Sequence, residues 1–535
     1  MERPQSYDLR QERWIGFVRQ DGTFGKEGLH YLLNNAQDIR DIVDQSPLVK
    51  FSIYRLLIAI VHWLRPMKDL DDWVRTWDER RFPEHMRDEL MSRGEDCFDL
   101  FSKQHPFFQD NNANRPKELP TISNLAADVP SGSTINHFRH AYDDEQAFCP
   151  ACCAKGLIQL PAFCIGTGAG KSKKRDQEGG KPGCINAIPP LYLLPTGESL
   201  FQTIMLNLPV SGLVGCLDRL IIPGDVPAWV DEPGKIGLCE GLTWQPRRAR
   251  LITDIDLLSH GSCTRCGENT AHGGVEILIR RALFGAGRPS PHGGWIDPHV
   301  SYGTNGKASV PKPEKPQKPQ KSGKSDHPLW CVVADVLNNM GNPDGTQIPL
   351  MFRQLAEIRR RRPGAISGAC NIAWYWAKAK QGKYQDWGSG QWPVCYQLID
   401  NPDLAETLRK ALQTIYDNKR GVARQLAFRE KPMKQEEADE RVYRLTGNIA
   451  HPGVMDLDLS ANMAFLELLA SLQRDPSSAR AEVDRFKQLV QNSVREWFGE
   501  CASLTVGLAG RLGPFIAMER YDGALSNSRK KGKNQ

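Results

Sequence analysis

Cys149-Pro150-Ala151-Cys152 is answered, far along the chain, by Cys263-Thr264-Arg265-Cys266-Gly267. In each hook a two-residue gap lets both sulfurs face one ion, and the glycine suits a tight turn beyond the second hook. Four thiolates close a tetrahedral zinc site and leave no open position for a catalytic water. Cys149, Cys152, Cys263 and Cys266 therefore read as ligands of a structural Zn2+. The competing reading of each pair is buried free cysteine. Cys153, Cys164 and Cys184 lie nearby, but their spacing does not favour them. So much chain separates the hooks that the metal would staple two remote segments of one fold.

The chain around them has 535 residues, room for two to four domains of about 150 residues each. An apolar fraction of 40% excludes wholesale disorder. Fourteen cysteines are too sparse for a disulfide scaffold, and a reducing compartment makes metal binding the better use of spaced pairs. Lys and Arg outnumber Asp and Glu by 69 to 63, a net +6 that decides little until its placement is known. The most apolar run, Phe51 to Leu64, contains Arg55 and His62 and reads as a buried core helix rather than a membrane span. Met1-Glu2-Arg3-Pro4-Gln5 lacks the apolar stretch of a secretory signal, so a cytoplasmic location with no membrane partner is expected.

No internal repeat is found. An extended segment from Arg13 to Arg19 and a turn at Asp21-Gly22 open the chain. Helical patterns are predicted from Ala36 to Leu64 and from Leu70 to Arg93, with a loop-rich stretch over 103–148. A helix near Ser199–Leu208 and a strand over Arg248–Ile255 follow. Alternating Pro and Lys over 303–328 predict a mobile surface loop within a domain. Beyond about residue 400 the pattern is helical throughout. Asp475-Pro476 starts one helix whose Ala479, Val483, Phe486, Val490, Val494 and Trp497 form a single apolar stripe. The fold class expected is α+β: a large mixed α/β N-terminal domain (1–400) with a zinc-stapled insertion. A C-terminal four-helix bundle (401–525) and a disordered basic tail (526–535) follow.

Gly166-Thr167-Gly168-Ala169-Gly170-Lys171-Ser172 invites a nucleotide-binding reading, but only three residues separate Gly166 from the Gly-Lys-Ser where a P-loop needs four. A dinucleotide fingerprint fails because Lys171 stands where its third glycine belongs. What remains is a side-chain-poor backbone with a cationic flank, suited to a polyanion or equally to a plain surface loop. Arg247-Arg248, Arg280-Arg281 and Arg359 through Arg362 are further basic clusters, a tilt toward a phosphate-backbone partner. No histidine has the spacing of a metal nuclease. Trp374, Tyr375 and Trp376, among small apolar residues, read as core before they read as base-stacking platforms.

Several segments, taken in order, resemble the CasA-type large subunit of the type I-E CRISPR surveillance complex, Cascade. They are Glu12-Arg13-Trp14-Ile15, His105-Pro106-Phe107-Phe108-Gln109, Pro130 through Phe138, the glycine stretch, Phe201 through Leu208, Leu242-Thr243-Trp244-Gln245-Pro246, and Trp295 through Tyr302. The resemblance spans roughly residues 10–400, with a helical bundle after it. It implies a non-catalytic DNA reader that inspects the motif flanking a target from the minor groove. Such a subunit helps open the duplex for guide RNA and offers a docking surface to a helicase-nuclease. Partners would be the other Cascade subunits, CRISPR RNA and target double-stranded DNA.

Carried over by position, the glycine loop maps to Gly166, Gly168 and Gly170 with Lys171 beside it. The preceding duplex-contacting segment maps to Asn136, Phe138 and Arg139. The basic finger maps to Arg280 and Arg281, where the family has Lys. The wedge, a polar hairpin tip in the family, maps to Asn371, Ile372 and Ala373, of which only Asn371 supplies an amide. Two other readings compete: a nucleoside-triphosphate-dependent enzyme using the Gly-Lys-Ser stretch, and a purely structural zinc-containing ribonucleoprotein subunit.

Overall fold

The computed structural model describes residues 6–93, 96–111, 113, 118–126, 128, 146–165, 184, 189–231, 236–269, 277–284, 295–300, 302–303, 312–313, 349–366, 370–380, 383–393, 403, 463–472 and 474–504. The chain divides into two compact units, Met1–Pro316 with Thr346–Gln391 and Gln317–Gly345 with Trp392–Gln535.

The first unit opens with β1 (Ile15–Arg19) and β2 (Phe24–Glu27), joined through a turn with Gly22 at φ +86°. Helix α1 (Leu29–Asn34) and β3 (Ile39–Val43) follow, and the sheet order is β2-β1-β3. The apolar spacing that predicts helix from Ala36 thus includes a strand. Ile39 and Ile42 are both buried although three residues apart, because the β1–β3 register slips between Val18 and Arg19. A bulge makes a strand imitate helical periodicity.

Pro47 at the first turn and Ser46, whose side chain accepts from Val49 N, start α2 (Pro47–Leu64). Almost every side chain along it is buried, so α2 is the axis of the core and not a membrane span. Helices α3 (Leu70–Glu79) and α4 (His85–Ser92) replace the single helix predicted to Arg93. Arg80 in the left-handed region, with Pro83 beyond it, ends the first and separates the second.

Helices α5 (Pro150–Ile158) and α6 (Leu160–Phe163) lead to β4 (Tyr192–Thr196) and α7 (Leu200–Leu206), the latter capped by Ser199, whose side chain accepts from Gln202 N. After α8 (Leu238–Thr243) come short strands β5 (Ala249–Leu251), β6 (Leu258–Ser259), β7 (Leu278–Ile279) and β8 (Ala282–Phe284). β5 pairs with β8, and β6 with β7. Within the Pro/Lys stretch only β9 (Tyr302–Gly303) and β10 (Lys312–Pro313) touch described residues. Helix α9 (Leu350–Arg361) precedes β11 (Asn371–Lys380) and β12 (Lys383–Pro393), which with β4 form a sheet ordered β12-β11-β4.

The segments that carry the family likeness are mostly core. Phe107 and Phe108 pack on Trp229, with ring centroids 5.1 and 4.6 Å away. Gln109 donates to Leu100 O and accepts from Leu251 N. His299, pushed down to about 3 by burial, bonds Asn207 Oδ1 through Nε2 at 3.0 Å. Tyr375 lies 4.9 Å from Phe51 of α2, which makes it core. Trp374 and Trp376 stand over Gly390 and Gly388, where an added Cβ would meet the indoles at 2.4 and 2.6 Å.

In the second unit, helices α10 (Met463–Leu472) and α11 (Ala479–Leu504) are described. Phe465, Leu468, Leu469 and Leu472 are buried, as are Val483, Phe486 and Val490 of the expected stripe. Phe465 and Phe486 meet at 6.2 Å. The rest of the predicted bundle and the basic tail lie outside the described residues.

Candidate metal centre and nucleic-acid elements

Cys149 caps α5 with extended backbone, Pro150 takes the first helical position, and Cys152 falls in the first turn. Both sulfurs of this hook therefore sit at a helix N-terminus, where backbone N–H groups favour negative charge. The second hook is a tight turn in the connection from β6 to β7. Cys263 N donates to Glu268 O at 2.8 Å, Gly267 N donates to Cys263 O at 2.9 Å, and Gly267 has φ +76°. That left-handed position is the one the sequence motif reserves for glycine.

Backbone pairing brings the hooks together. Phe148 and Ile279 exchange N–H···O bonds of 2.9 and 2.8 Å, and Thr264 N donates to Ala147 O at 2.9 Å. Cys149 N reaches Cys263 Sγ at 3.3 Å, and the sulfurs of Cys149 and Cys266 are 3.8 Å apart. All four sulfurs lie within 4.8 Å of one another. A tetrahedron of Zn–S bonds of about 2.3 Å has edges of about 3.8 Å, so the donor set fits zinc. Cys153, Cys164 and Cys184 are outside this cluster.

The thiols hold one another in unequal states. Hydrogen bonds from Cys149, Cys152 and Cys266 push Cys263 far below the usual thiol range, and bonds with Cys149 and Cys152 bring Cys266 down to about 7. Cys152 is pushed up, first by its bond with Cys149. Cys149 is pulled down by Cys152 but pushed further up by Cys263, Cys266 and burial. A divalent cation would replace the protons these thiols share. Beside the cluster opens a cleft of about 490 Å³. Its cations are matched: Lys26 with Glu268, Lys155 with Asp44 and Arg265 with Asp128, each at 2.7 Å.

The DNA-contact residues expected from sequence fare differently. Gly166, Gly168, Gly170 and Lys171 lie outside the described residues, as do Asn136, Phe138 and Arg139. The base of the glycine stretch is described: α6 ends at Phe163, and Cys184 N donates to Cys164 O at 2.6 Å. Arg280 and Arg281 link β7 to β8 and are half-buried, with Arg280 O accepting from Ile122 N and Arg281 O from Ile252 N. Their backbone is tied into the strands that carry the clasp. Among the arginines at the end of α9, Arg360 and Arg361 pair with Glu357 and Arg362 with Asp71, the arrangement of a solvated helix end.

Asn371, Ile372 and Ala373 are no hairpin tip. They begin β11 and pair with Thr196, Pro195 and Leu194 of β4, and Ile372 and Ala373 have no exposed surface. Two buried side chains in a paired strand are unavailable to DNA. This corrects their assignment as a wedge.

A family model described as CRISPR-associated protein Cse1 matches residues 8–497. The chain belongs to the Cse1 family. It is 28% identical over 275 residues to the CRISPR-associated protein CasA/Cse1 of Thermus thermophilus, a stretch covering 47% of this chain and 50% of that relative. The chain therefore matches about half the length of that curated relative. Cse1 from Acidimicrobium ferrooxidans superposes with a TM-score of 0.71 at 21% identity, covering 99% of each chain. A chain of a structure described as a CRISPR RNA-guided surveillance complex gives a TM-score of 0.66 at 15% identity, covering 98% of this chain and 100% of that one. The mixed α/β fold is that of Cse1 structures.

One element of this Cse1 chain escapes sequence reasoning. β11 and β12 are neighbours in one sheet, and in sequence only Gln381-Gly382 separates them. Two aromatic-rich runs parted by a dipeptide ending in glycine are a hairpin signal. The glycines of 388–390 obscure it, because they make the second run look like loop.

Proposed function

We propose that this chain is the large subunit of a CRISPR RNA-guided surveillance complex of the Cascade type, working as a non-catalytic reader of the motif flanking a DNA target. The observation that carries the reading is the anchoring of both ends of the stretch 165–183. The cysteine clasp holds the start of α5, and the Cys184–Cys164 backbone bond joins the ends. A glycine-rich, lysine-flanked segment on a rigid base suits a groove only about 6 Å wide, where bulkier side chains do not fit. Gly166, Gly168 and Gly170 with Lys171 form that reading loop, and Asn136, Phe138 and Arg139 contact the flanking duplex. Arg280 and Arg281 serve as the basic element. The wedge belongs at the end of the β11–β12 hairpin, with Gln381 as its amide, flanked by Lys380 and Lys383.

The partners on this reading are the other complex subunits, CRISPR RNA, target double-stranded DNA and a recruited helicase-nuclease. The clasp holds structural Zn2+, and the helical part over 401–525, a four-helix bundle, supplies docking surface. Exchanging a DNA duplex for an RNA–DNA duplex is nearly balanced in free energy, so a few kcal/mol from motif contacts and a wedge decide whether opening starts. The test is a flanking-motif library presented to the assembled complex with and without this chain. Motif-dependent opening that vanishes without the chain is expected, and identical motif preference in both would sink the proposal.

A further inference from the structure

His62, Asp225 and Cys239 form a second convergence of metal-ligating groups in the first unit, away from the clasp cysteines in sequence. One ring nitrogen of His62, a carboxylate oxygen of Asp225 and Cys239 Sγ lie within 4.8 Å of one another. The three come from separate segments: α2, the loop before α8, and the first turn of α8. Their exposures are 3%, 7% and 0%.

The surroundings treat them unequally. His62 Nδ1 is buried and makes no hydrogen bond, which is costly for an ordinary core group. Asp225 is held by Cys239 N at 2.6 Å and Glu240 N at 3.3 Å, so its carboxylate points at the thiol segment and keeps lone pairs to spare. The Cys239 thiol, while protonated, donates to Ala59 O of α2 at 3.3 Å. A Cβ on Gly237 would come within 2.4 Å of Asp225 Oδ2, so the chain closes tightly over the carboxylate. Among the described residues no lysine or arginine forms an ion pair with Asp225. A buried carboxylate without a cation beside a buried thiol is an unbalanced arrangement.

We infer that His62, Asp225 and Cys239 bind a second divalent cation, of the zinc class, distinct from the one held by the four cysteines. One neutral imidazole, one carboxylate and one thiolate bring two negative charges to a doubly positive ion, so the buried site becomes neutral. Nitrogen, oxygen and sulfur together with a small cage select zinc over magnesium or calcium, which prefer all-oxygen shells. Donors within 4.8 Å must draw closer by about 1 Å to reach the edges of a tetrahedron with bonds of about 2.0–2.3 Å. The three protein donors leave one coordination position for a further ligand. Bound there, the ion ties the C-terminal turn of α2 to α8, two elements already packed together. The inference stands apart from the DNA-reading proposal, since it concerns no nucleic-acid contact.

Elemental analysis of the purified full chain, wild type against His62→Gln and Cys239→Ala, tests it. One metal equivalent fewer per chain in either folded variant, with the clasp's equivalent retained, is the expected result. Metal content equal to wild type in the folded variants overturns the inference. Should both variants fail to fold, cobalt substitution of the wild-type chain decides. A mixed nitrogen/oxygen/sulfur centre beside the four-thiolate spectrum supports the site, and a four-thiolate spectrum alone overturns it.

Discussion

Arg55 Nη1 of α2 lies 2.9 Å from Asp297 Oδ2, and the two side chains are 2% and 0% exposed. The guanidinium also stands over the rings of Tyr192 and Phe51, at 5.4 and 5.7 Å. The charge that interrupts the apolar run of the core helix is therefore met, inside the core, by the acid of the Trp295–Tyr302 segment. Removing one partner strands the other. Asp297→Asn should cost about 3–5 kcal/mol, while Arg55→Met with Asp297→Leu should cost less than either single change. Denaturant unfolding of Asp297→Asn, of Arg55→Met and Asp297→Leu singly, and of their combination checks the order.

The pH dependence follows from His299. Burial, partly opposed by Asp297, lowers it from the ordinary 6.5 to about 3. An unfolded histidine takes up a proton below pH 6.5 that the folded one refuses. The stability it supports is thus complete above that pH and lost progressively as pH falls toward 3. At about pH 5 the loss is about 2 kcal/mol. His299→Gln should be less stable than wild type at about pH 7, and the gap should narrow by about that amount at about pH 5 in urea titrations.

Metal removal should act through the clasp. Cys263→Ser is expected to release one zinc equivalent and to lower the melting midpoint. The clasp lies in the larger unit, Met1–Pro316 with Thr346–Gln391, so a loss of about 3 kcal/mol should shift the midpoint by less than the roughly 6–12 °C it would give in about 150–250 residues. Cys153→Ser, outside the cluster, should keep the metal. Zinc analysis paired with thermal melts reads both.

If the proposed reading loop enters the groove, Gly168→Asp should weaken binding of the assembled complex to a matched target by at least about tenfold, since a carboxylate would then face phosphates at close range. Lys171→Ala should weaken binding across sequences and reduce the salt slope by about 1. Equilibrium binding at several salt concentrations gives both numbers.

On the proposed reading, Gln381→Ala should separate a wedge from the groove contacts. Affinity for duplex DNA carrying the flanking motif should be nearly kept, while opening of the duplex slows. Strand opening followed with a fluorescent base beside the motif is the measurement, and a pre-opened target should restore the wild-type rate.

Cysteine spacing and a glycine beyond the second hook are enough to pick out the four cysteines that cluster, because the pairing within each hook is written in local sequence. The apolar run of α2, the helix near Ser199–Leu208 and the stripe through Val483, Phe486 and Val490 are legible for the same reason: each depends on neighbours within a turn or two. The strand at Ile39–Val43 is hidden because a slip in register against β1 buries residues three apart. Asn371–Ala373 are misassigned from sequence because nothing in those residues reveals that β4, far earlier in the chain, supplies their hydrogen-bond partners.

Ligand type, helix caps and the need to bury Arg55 are thus set by the amino-acid sequence itself, since short-range chemistry decides them. Which acid answers Arg55, which strands bring Phe148 beside Ile279, and that His62 meets Asp225 and Cys239 are decided only by tertiary structure. Those encounters join residues far apart in the chain, and their geometry exists only once long-range pairing and burial have brought the segments together.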